Sequence, residues 1–283
     1  LGLAYANGDG VPQDSGEAAK WFRKAAEQGH AVAQLSLGNS YAYGLGVPQD
    51  LAEALKWTRL AAEQGLADAQ FNVGGTYALG EGVAIDYAEA AKWFRRAAEQ
   101  GHAEAQNNLG LAYEQSLGVR QDYSEAFKWY LLAAEGGSLD GQFNLGRLYD
   151  HGRGIPRDTA EALKWYRLAA NRGSALAQNN LGFAYENGQG VAADFGEALK
   201  WYRLAANQGV PQAQLVLGAA YAVGRGLPTD FIQAHLWLSL AIPNCSGEDK
   251  KKGIAALKIV SSHLTDRQLA EAQRLASEWK SKH

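Results

Sequence analysis

Apolar and polar positions follow a helical period along this chain, and the whole pattern repeats every 36 residues. Within one repeat, residues 30–65, apolar residues recur three or four positions apart in two separate stretches. These residues are Ala33, Leu37 and Tyr41 in the first stretch, and Ala54, Trp57 and Ala61 in the second. Such spacing predicts two amphipathic helices per repeat, named helix A and helix B below.

Tryptophan and aspartate keep the same phase through the chain. The tryptophans are Trp21, Trp57, Trp93, Trp129, Trp165, Trp201 and Trp237, and the aspartates are Asp14, Asp50, Asp86, Asp122, Asp158, Asp194 and Asp230. A Leu/Val-Gly-x-x-Tyr motif precedes each aspartate. An array of this period predicts a solenoid in which each unit packs only on its neighbours. The long surface of a solenoid suits binding of another macromolecule better than catalysis.

Local signals mark the ends of the helices. Gly44 and Pro48 end helix A. Asp50, with Glu53 three residues later, predicts a capping box at the start of helix B, in which the glutamate bonds back to the aspartate. Gly65 follows helix B, where a left-handed backbone is expected.

Small residues in both helices predict close helix packing. Gly38 lies inside helix A, although a glycine in a helix costs about 1 kcal/mol relative to alanine. Close approach of the two backbones around one large ring would offset that cost. We expect Trp57 and its equivalents to fill the space between units.

These motifs resemble the Sel-one-like repeat (SLR) family, a relative of the tetratricopeptide repeat. The motifs are Leu-Gly-x-x-Tyr, Gly-x-Gly-Val, Asp-x-x-Glu-Ala-x-Lys-Trp-Tyr/Phe-Arg and Ala-Ala-Glu-Gln-Gly. The resemblance covers residues 1 to about 242. It implies an all-α fold, a right-handed α-solenoid superhelix of antiparallel helix pairs that acts as an adaptor, and it suggests a bacterial source.

The expected organisation is a partial first repeat over residues 1–29, six complete pairs over 30–245 and C-terminal capping helices over 246–283. In the cap, a helix from Glu248 to about His263 would carry Ile254, Leu257 and either Val260 or Ile259 on one apolar side. Thr265 and Gln268 predict a capping box for a last helix ending near Lys280.

Composition and charge exclude some functional classes. The formal net charge of −3 offers no electrostatic basis for nucleic-acid binding. No apolar stretch approaches 18 residues, so no membrane span is predicted. Leu1 falls inside a helix A and the chain has no methionine, which predicts a piece of a longer protein. An export signal would lie upstream, and a periplasmic or exported location is compatible with the resemblance.

The variable half of helix A is the predicted partner-binding surface. The resemblance implies that helix A lines the concave groove, where a protein or peptide would bind. The candidate contact residues are Phe71, Asn72, Asn107, Asn108, Leu111, Phe143, Asn144, Arg147, Asn179, Asn180 and Phe183. Exposed aromatic and aliphatic side chains are typical of binding surfaces.

Two features of this surface have alternative interpretations. Asn72, Asn108, Asn144 and Asn180 recur every 36 residues, and their amides would either pair with a partner's peptide bonds or bond locally. Arg147 would either hold a partner's carboxylate or pair with Asp150.

No catalytic, metal or cofactor site is predicted. The six histidines lack metal-ligand spacing, and Cys245, the single cysteine, has no histidine nearby in sequence. Cysteine-rich relatives suggest an alternative, a β-lactamase-like or penicillin-binding activity, but this chain has neither their cysteines nor a serine-lysine motif. A structural role as one module of a larger envelope or signalling protein is the other alternative.

Overall fold

The computed structural model describes residues 1–282, which form sixteen α-helices and one short 3₁₀ turn without any strand. The helices are α1 (Gly2–Asn7), α2 (Ser15–Ala26), α3 (Ala31–Tyr43), α4 (Leu51–Glu63), α5 (Ala67–Leu79), α6 (Tyr87–Glu99), α7 (Ala103–Gln115), α8 (Tyr123–Glu135), α9 (Leu139–His151), α10 (Thr159–Asn171), α11 (Ala175–Asn187), α12 (Phe195–Asn207), α13 (Pro211–Val223), α14 (Phe231–Ala241), α15 (Gly247–Ser262) and α16 (Asp266–Lys282). The all-helical repeat fold predicted from the sequence is confirmed.

Odd-numbered helices up to α13 are A helices, and even-numbered helices up to α14 are B helices. The B helices α2, α4, α6 and α12 each pack on the A helix before them and on the A helix after them. The helices form two compact units, and the boundary falls within α9, after Leu145. The first unit also includes the loop Arg153–Pro156, and the second holds Gly146–Gly152 and Arg157 onward. None of the helices among residues 1–282 is long and apolar enough to cross a membrane.

An aspartate caps every B helix of the repeats, as predicted. Asp50 accepts hydrogen bonds from the amides of Ala52 and Glu53. The reciprocal half of the predicted capping box is wrong, because the Asp50 amide donates to the Tyr41 carbonyl at 3.0 Å. The Glu53 carboxylate is bonded elsewhere, to Lys56 and to the Trp57 indole N–H. The glutamate therefore fixes the tryptophan instead of the cap.

In five repeats the ring that packs on the helix A glycine belongs to the residue after the tryptophan. A Cβ on Gly74 would lie 2.6 Å from Phe94, and one on Gly182 would lie 2.8 Å from Tyr202. Tyr202 is buried, whereas most of the tryptophans are only half-buried. The expected close approach is confirmed, but the tryptophan is not the ring at that contact.

Two further sets of hydrogen bonds join one repeat to the next. Buried Gln34 donates to the carbonyl of Ala26 at the end of the preceding B helix, and Gln70, Gln106, Gln142, Gln178 and Gln214 make the same bond in their repeats. Arg167 and Arg203 each donate to the hydroxyl of the tyrosine 18 residues later, Tyr185 and Tyr221. These bonds give the recurring glutamine, arginine and tyrosine a structural role.

The C-terminal helices α15 and α16 pack on α14. Thr265 and Gln268 form the predicted capping box, with the Thr265 amide donating to the Gln268 side chain at 3.0 Å and the Gln268 amide donating back. The predicted apolar face of α15 is partly wrong. Val260 is buried, but Ile254 and Ile259 are 51% and 61% exposed.

Candidate functional site

The two halves of the A helix α3 differ in burial. In α3 the recurring Leu37 and Gly38 are buried, and Tyr41 is half-buried. On the variable half, Asn39 is half-buried and Tyr43 is 74% exposed. Leu79 and Val223, which occupy the position of Tyr43 in other repeats, are also exposed. Packing therefore occupies one half of helix A and leaves large side chains of the other half accessible.

Most of the candidate residues of the first unit are half-buried. These are Phe71, Asn72, Asn108, Leu111, Phe143 and Asn144. The Phe71 ring stacks on the imidazole of His102, with ring centroids 4.6 Å apart. His102 is in turn held at the start of α7, where its Nδ1 accepts the Ala105 amide. Phe71 is thus fixed in position by two neighbouring elements.

Asn107 differs from the expectation because it is buried, with 5% of its surface exposed. Its side-chain oxygen accepts a 2.9 Å hydrogen bond from the Asn144 amide group. A longer contact of 3.4 Å joins its nitrogen to Asn108. Of the asparagines that recur every 36 residues, Asn108 and Asn144 therefore each use part of their amide group in a hydrogen bond to Asn107.

A pocket of about 440 Å³ opens between the A helices α3, α5 and α7 of the first unit. Of the candidate residues, Phe71, Asn72, Asn108 and Leu111 line it. Residues that were not predicted complete the lining, among them Tyr43, Thr58, Gly75, Leu79, Glu81, Tyr87 and Phe94. The pocket therefore has apolar walls and carries the amides of asparagines from successive A helices.

In the second unit, Asn180 and Phe183 line a smaller pocket of about 200 Å³ beside Tyr166. Burial raises the pKa of the Tyr166 hydroxyl well above its usual value, and the nearby Asp150 adds to this effect. The tyrosine is therefore a neutral hydrogen-bonding group at neutral pH. Asn179 is half-buried, and Phe183 is 49% exposed.

Arg147 also belongs to the second unit and is half-buried. Its backbone carbonyl is bonded to His151. The Asp150 carboxylate lies 3.5 Å from the Arg157 guanidinium, and Arg157 also donates to the Asp150 carbonyl. The Asp150–Arg157 contact is one that the sequence analysis did not predict.

The sequence analysis did not identify one buried carboxylate in the first unit. Glu114, only 4% exposed, accepts a 2.9 Å hydrogen bond from the Tyr130 hydroxyl and lies 3.3 Å from the Arg153 guanidinium. The same arrangement recurs in the second unit at Glu186, which bonds Tyr202 and Arg225. The signal that could have identified both clusters is a glutamate at a position where four other repeats have alanine.

The cysteine thiol is not activated as a nucleophile, and potential metal ligands do not cluster in the part of the chain that the structure describes. Cys245 is buried, and burial together with the nearby Asp249 raises the pKa of its thiol. A raised thiol pKa disfavours the nucleophilic thiolate. Residues 1–282 contain no cluster of three or more potential metal ligands.

Comparison with known proteins places these features in context. The Sel1 repeat family matches seven successive segments, residues 1–30, 31–66, 67–102, 103–138, 139–174, 175–210 and 211–242. A Sel1 repeat protein from Oxalobacter formigenes is 39% identical with a TM-score of 0.76, and the match covers 89% of this chain and 72% of that protein. The protein c5321, a protective antigen of uropathogenic Escherichia coli with an SLR fold, is 31% identical over 100% of this chain and 75% of its own, with a TM-score of 0.45. The immunity protein Pa5087 from Pseudomonas aeruginosa is 20% identical over 75% of this chain and 81% of its own, with a TM-score of 0.48. Comparison with curated proteins gave no match.

Proposed function

The chain belongs to the Sel1 repeat family, whose members are generally non-catalytic protein-interaction scaffolds, and from this premise we propose that it binds a partner protein or peptide in the concave groove lined by its A helices. The observation that carries the proposal is the division of the A helix α3 into a packed half and an accessible half, with exposed side chains at the equivalent positions Leu79 and Val223. The accessible half bears aromatic, aliphatic and amide side chains, which are the groups that protein interfaces use.

The asparagine amides support recognition of an extended peptide backbone. Asn72 and Asn108 reach the first-unit pocket from α5 and α7, and an amide offers two donors and one acceptor group. Net hydrogen bonds contribute only about 0.5–1.5 kcal/mol each, whereas micromolar binding requires about −8 kcal/mol. The apolar residues Phe71, Leu111 and Phe183 would therefore supply most of the affinity.

Affinity capture with three forms of the chain tests this proposal. The first is the wild type. The second carries Asn72→Ala, Asn108→Ala and Leu111→Ala on the A helices, and the third carries three changes on exposed faces of B helices. The control changes are Lys56→Ala, Lys128→Ala and Leu132→Ala, at residues that are all exposed.

A partner retained by the wild type and the B-helix variant, but lost by the A-helix variant, supports the proposal. Retention of the same partner by all three forms, or its loss only in the B-helix variant, contradicts it. Melting curves of the three forms establish that each is folded at the temperature of the capture.

A further inference from the structure

Two positions in the wall of the first-unit pocket have small side chains. The residue after the repeat tryptophan is aromatic or leucine in the other repeats, at Phe22, Phe94, Tyr130, Tyr166, Tyr202 and Leu238, but it is Thr58 here. The second position is Gly75, whose equivalents are Leu3, Asn39, Leu111, Arg147, Phe183 and Ala219. Both small residues line the same pocket.

No packing contact requires a glycine at position 75. A Cβ at Gly75 would meet no atom within 4 Å, whereas a Cβ at the adjacent Gly74 would lie 2.6 Å from Phe94. Glycine also disfavours the helix by about 1 kcal/mol relative to alanine. The fold therefore tolerates a larger residue at position 75, and the space that glycine leaves is part of the pocket.

The pocket lining favours an apolar side chain inside the pocket and a positively charged group at its rim. Phe71, Leu79 and Leu111 form apolar walls, and Glu81 is the only carboxylate or cation among the lining residues. Glu81 is exposed, and its carboxylate forms no ion pair with the described part of the chain. A cation in front of Glu81 would add a favourable interaction at the rim.

We propose that this pocket is the anchor site for one aromatic or leucine side chain in an extended segment of the partner, followed or preceded by a lysine or arginine that faces Glu81. The inference rests on the proposed function and specifies where the partner is held. A volume of about 440 Å³ lies within the range of about 300–1,000 Å³ for binding pockets. Anchors of this kind dominate the energetics of protein interfaces. Asn39, Asn72 and Asn108, all in the lining, are available to the backbone on either side of the anchor.

The test uses a random peptide library displayed on phage and selected on the full chain. Gly75→Leu fills the pocket with a side chain that the equivalent position Leu111 already carries. Ala219→Leu makes a matched addition at the same repeat position in the second unit, where Ala219 is exposed. Glu81→Gln removes the charge without changing the shape. Thermal unfolding of each variant verifies folding.

Selected peptides are expected to share an apolar residue next to a lysine or arginine. We expect Gly75→Leu to weaken their binding at least tenfold, or about 1.4 kcal/mol, and Ala219→Leu to change it less than about twofold. Glu81→Gln should abolish the preference for the basic residue while the apolar residue is retained.

Selected peptides that bind the wild type and Gly75→Leu equally, or that lack the apolar residue, overturn the inference. If Phe143→Ala or Phe183→Ala weakens the binding of those peptides, the A-helix groove still binds and only the pocket assignment fails. Absence of any selected peptide also overturns the pocket assignment, whereas the capture experiment with whole proteins decides the proposed function separately.

Discussion

The ring of Tyr130 lies directly against the backbone of Gly110, so a Cβ on Gly110 would be 2.7 Å from the ring carbon Cδ1. Tyr130 is fully buried, and its hydroxyl donates to the buried carboxylate of Glu114. One side chain thus sets the distance between α7 and α8 and satisfies a buried polar group between them.

This contact predicts opposite effects for two glycine substitutions in A helices. Gly110→Ala forces Tyr130 away from α7 and is expected to lower the free energy of unfolding by about 1–3 kcal/mol. Gly75→Ala adds a methyl group in open space and is expected to raise the free energy of unfolding by up to about 1 kcal/mol. Urea unfolding of both variants measures the difference, and equal effects would contradict the packing role of Gly110.

The two tyrosine-glutamate clusters predict a graded response to loss of a hydroxyl group. Tyr130→Phe removes a donor from Glu114, which is 4% exposed, and is expected to cost about 1–3 kcal/mol. Tyr202→Phe removes the equivalent donor from Glu186, whose side chain is 20% exposed and more easily hydrated, so the cost should be smaller. Chemical denaturation of the two variants provides the comparison, and a larger loss for Tyr202→Phe would contradict this order.

The tryptophans of neighbouring repeats differ in burial, and we therefore expect their substitution to lower stability by different amounts. Trp93 is 3% exposed, and Trp93→Ala is expected to cost about 3–5 kcal/mol. Trp129 is half-buried against the cluster that contains Phe94, so Trp129→Ala should cost less, about 1.5–3 kcal/mol. Both variants should show lower melting temperatures. An unchanged melting curve for Trp129→Ala would exclude a packing role for that tryptophan.

His235 predicts a dependence of stability on pH. The imidazole is buried in α14, and burial lowers its pKa below 6.5. The unfolded chain therefore binds a proton at a higher pH than the folded chain, and stability decreases as pH falls below 6.5. The decrease is at most about 1.4 kcal/mol per pH unit.

The substitution His235→Leu isolates this effect, because the equivalent positions of preceding repeats carry Leu163 and Leu199. Between about pH 7.5 and pH 5.5 the wild type should lose more stability than the variant. Parallel urea-unfolding series at several pH values measure both slopes. Identical slopes would show that His235 does not contribute to the pH dependence.

The repeating part of the fold was predictable because each element carries its own local signal. Asp50 marks the start of a B helix, and Gly65 adopts the left-handed conformation expected at its end, with φ of 93°. The capping-box prediction was wrong in one half for a reason that lies outside the local sequence. Tyr41 of the preceding helix accepts the Asp50 amide, which leaves Glu53 available to the tryptophan.

The sequence by itself determined the period, the helix pairs and the accessible half of helix A, since these follow from residue spacing and chain stereochemistry. Only the tertiary structure decided which side chain packs on each helix A glycine, that Asn107 is buried against Asn144, and that Thr58 and Gly75 line one pocket. The physical reason is that these contacts join residues of different helices, whose distances depend on the size of the side chains between them. A periodic sequence specifies that the units stack, whereas the departures from the period decide where the stack leaves space.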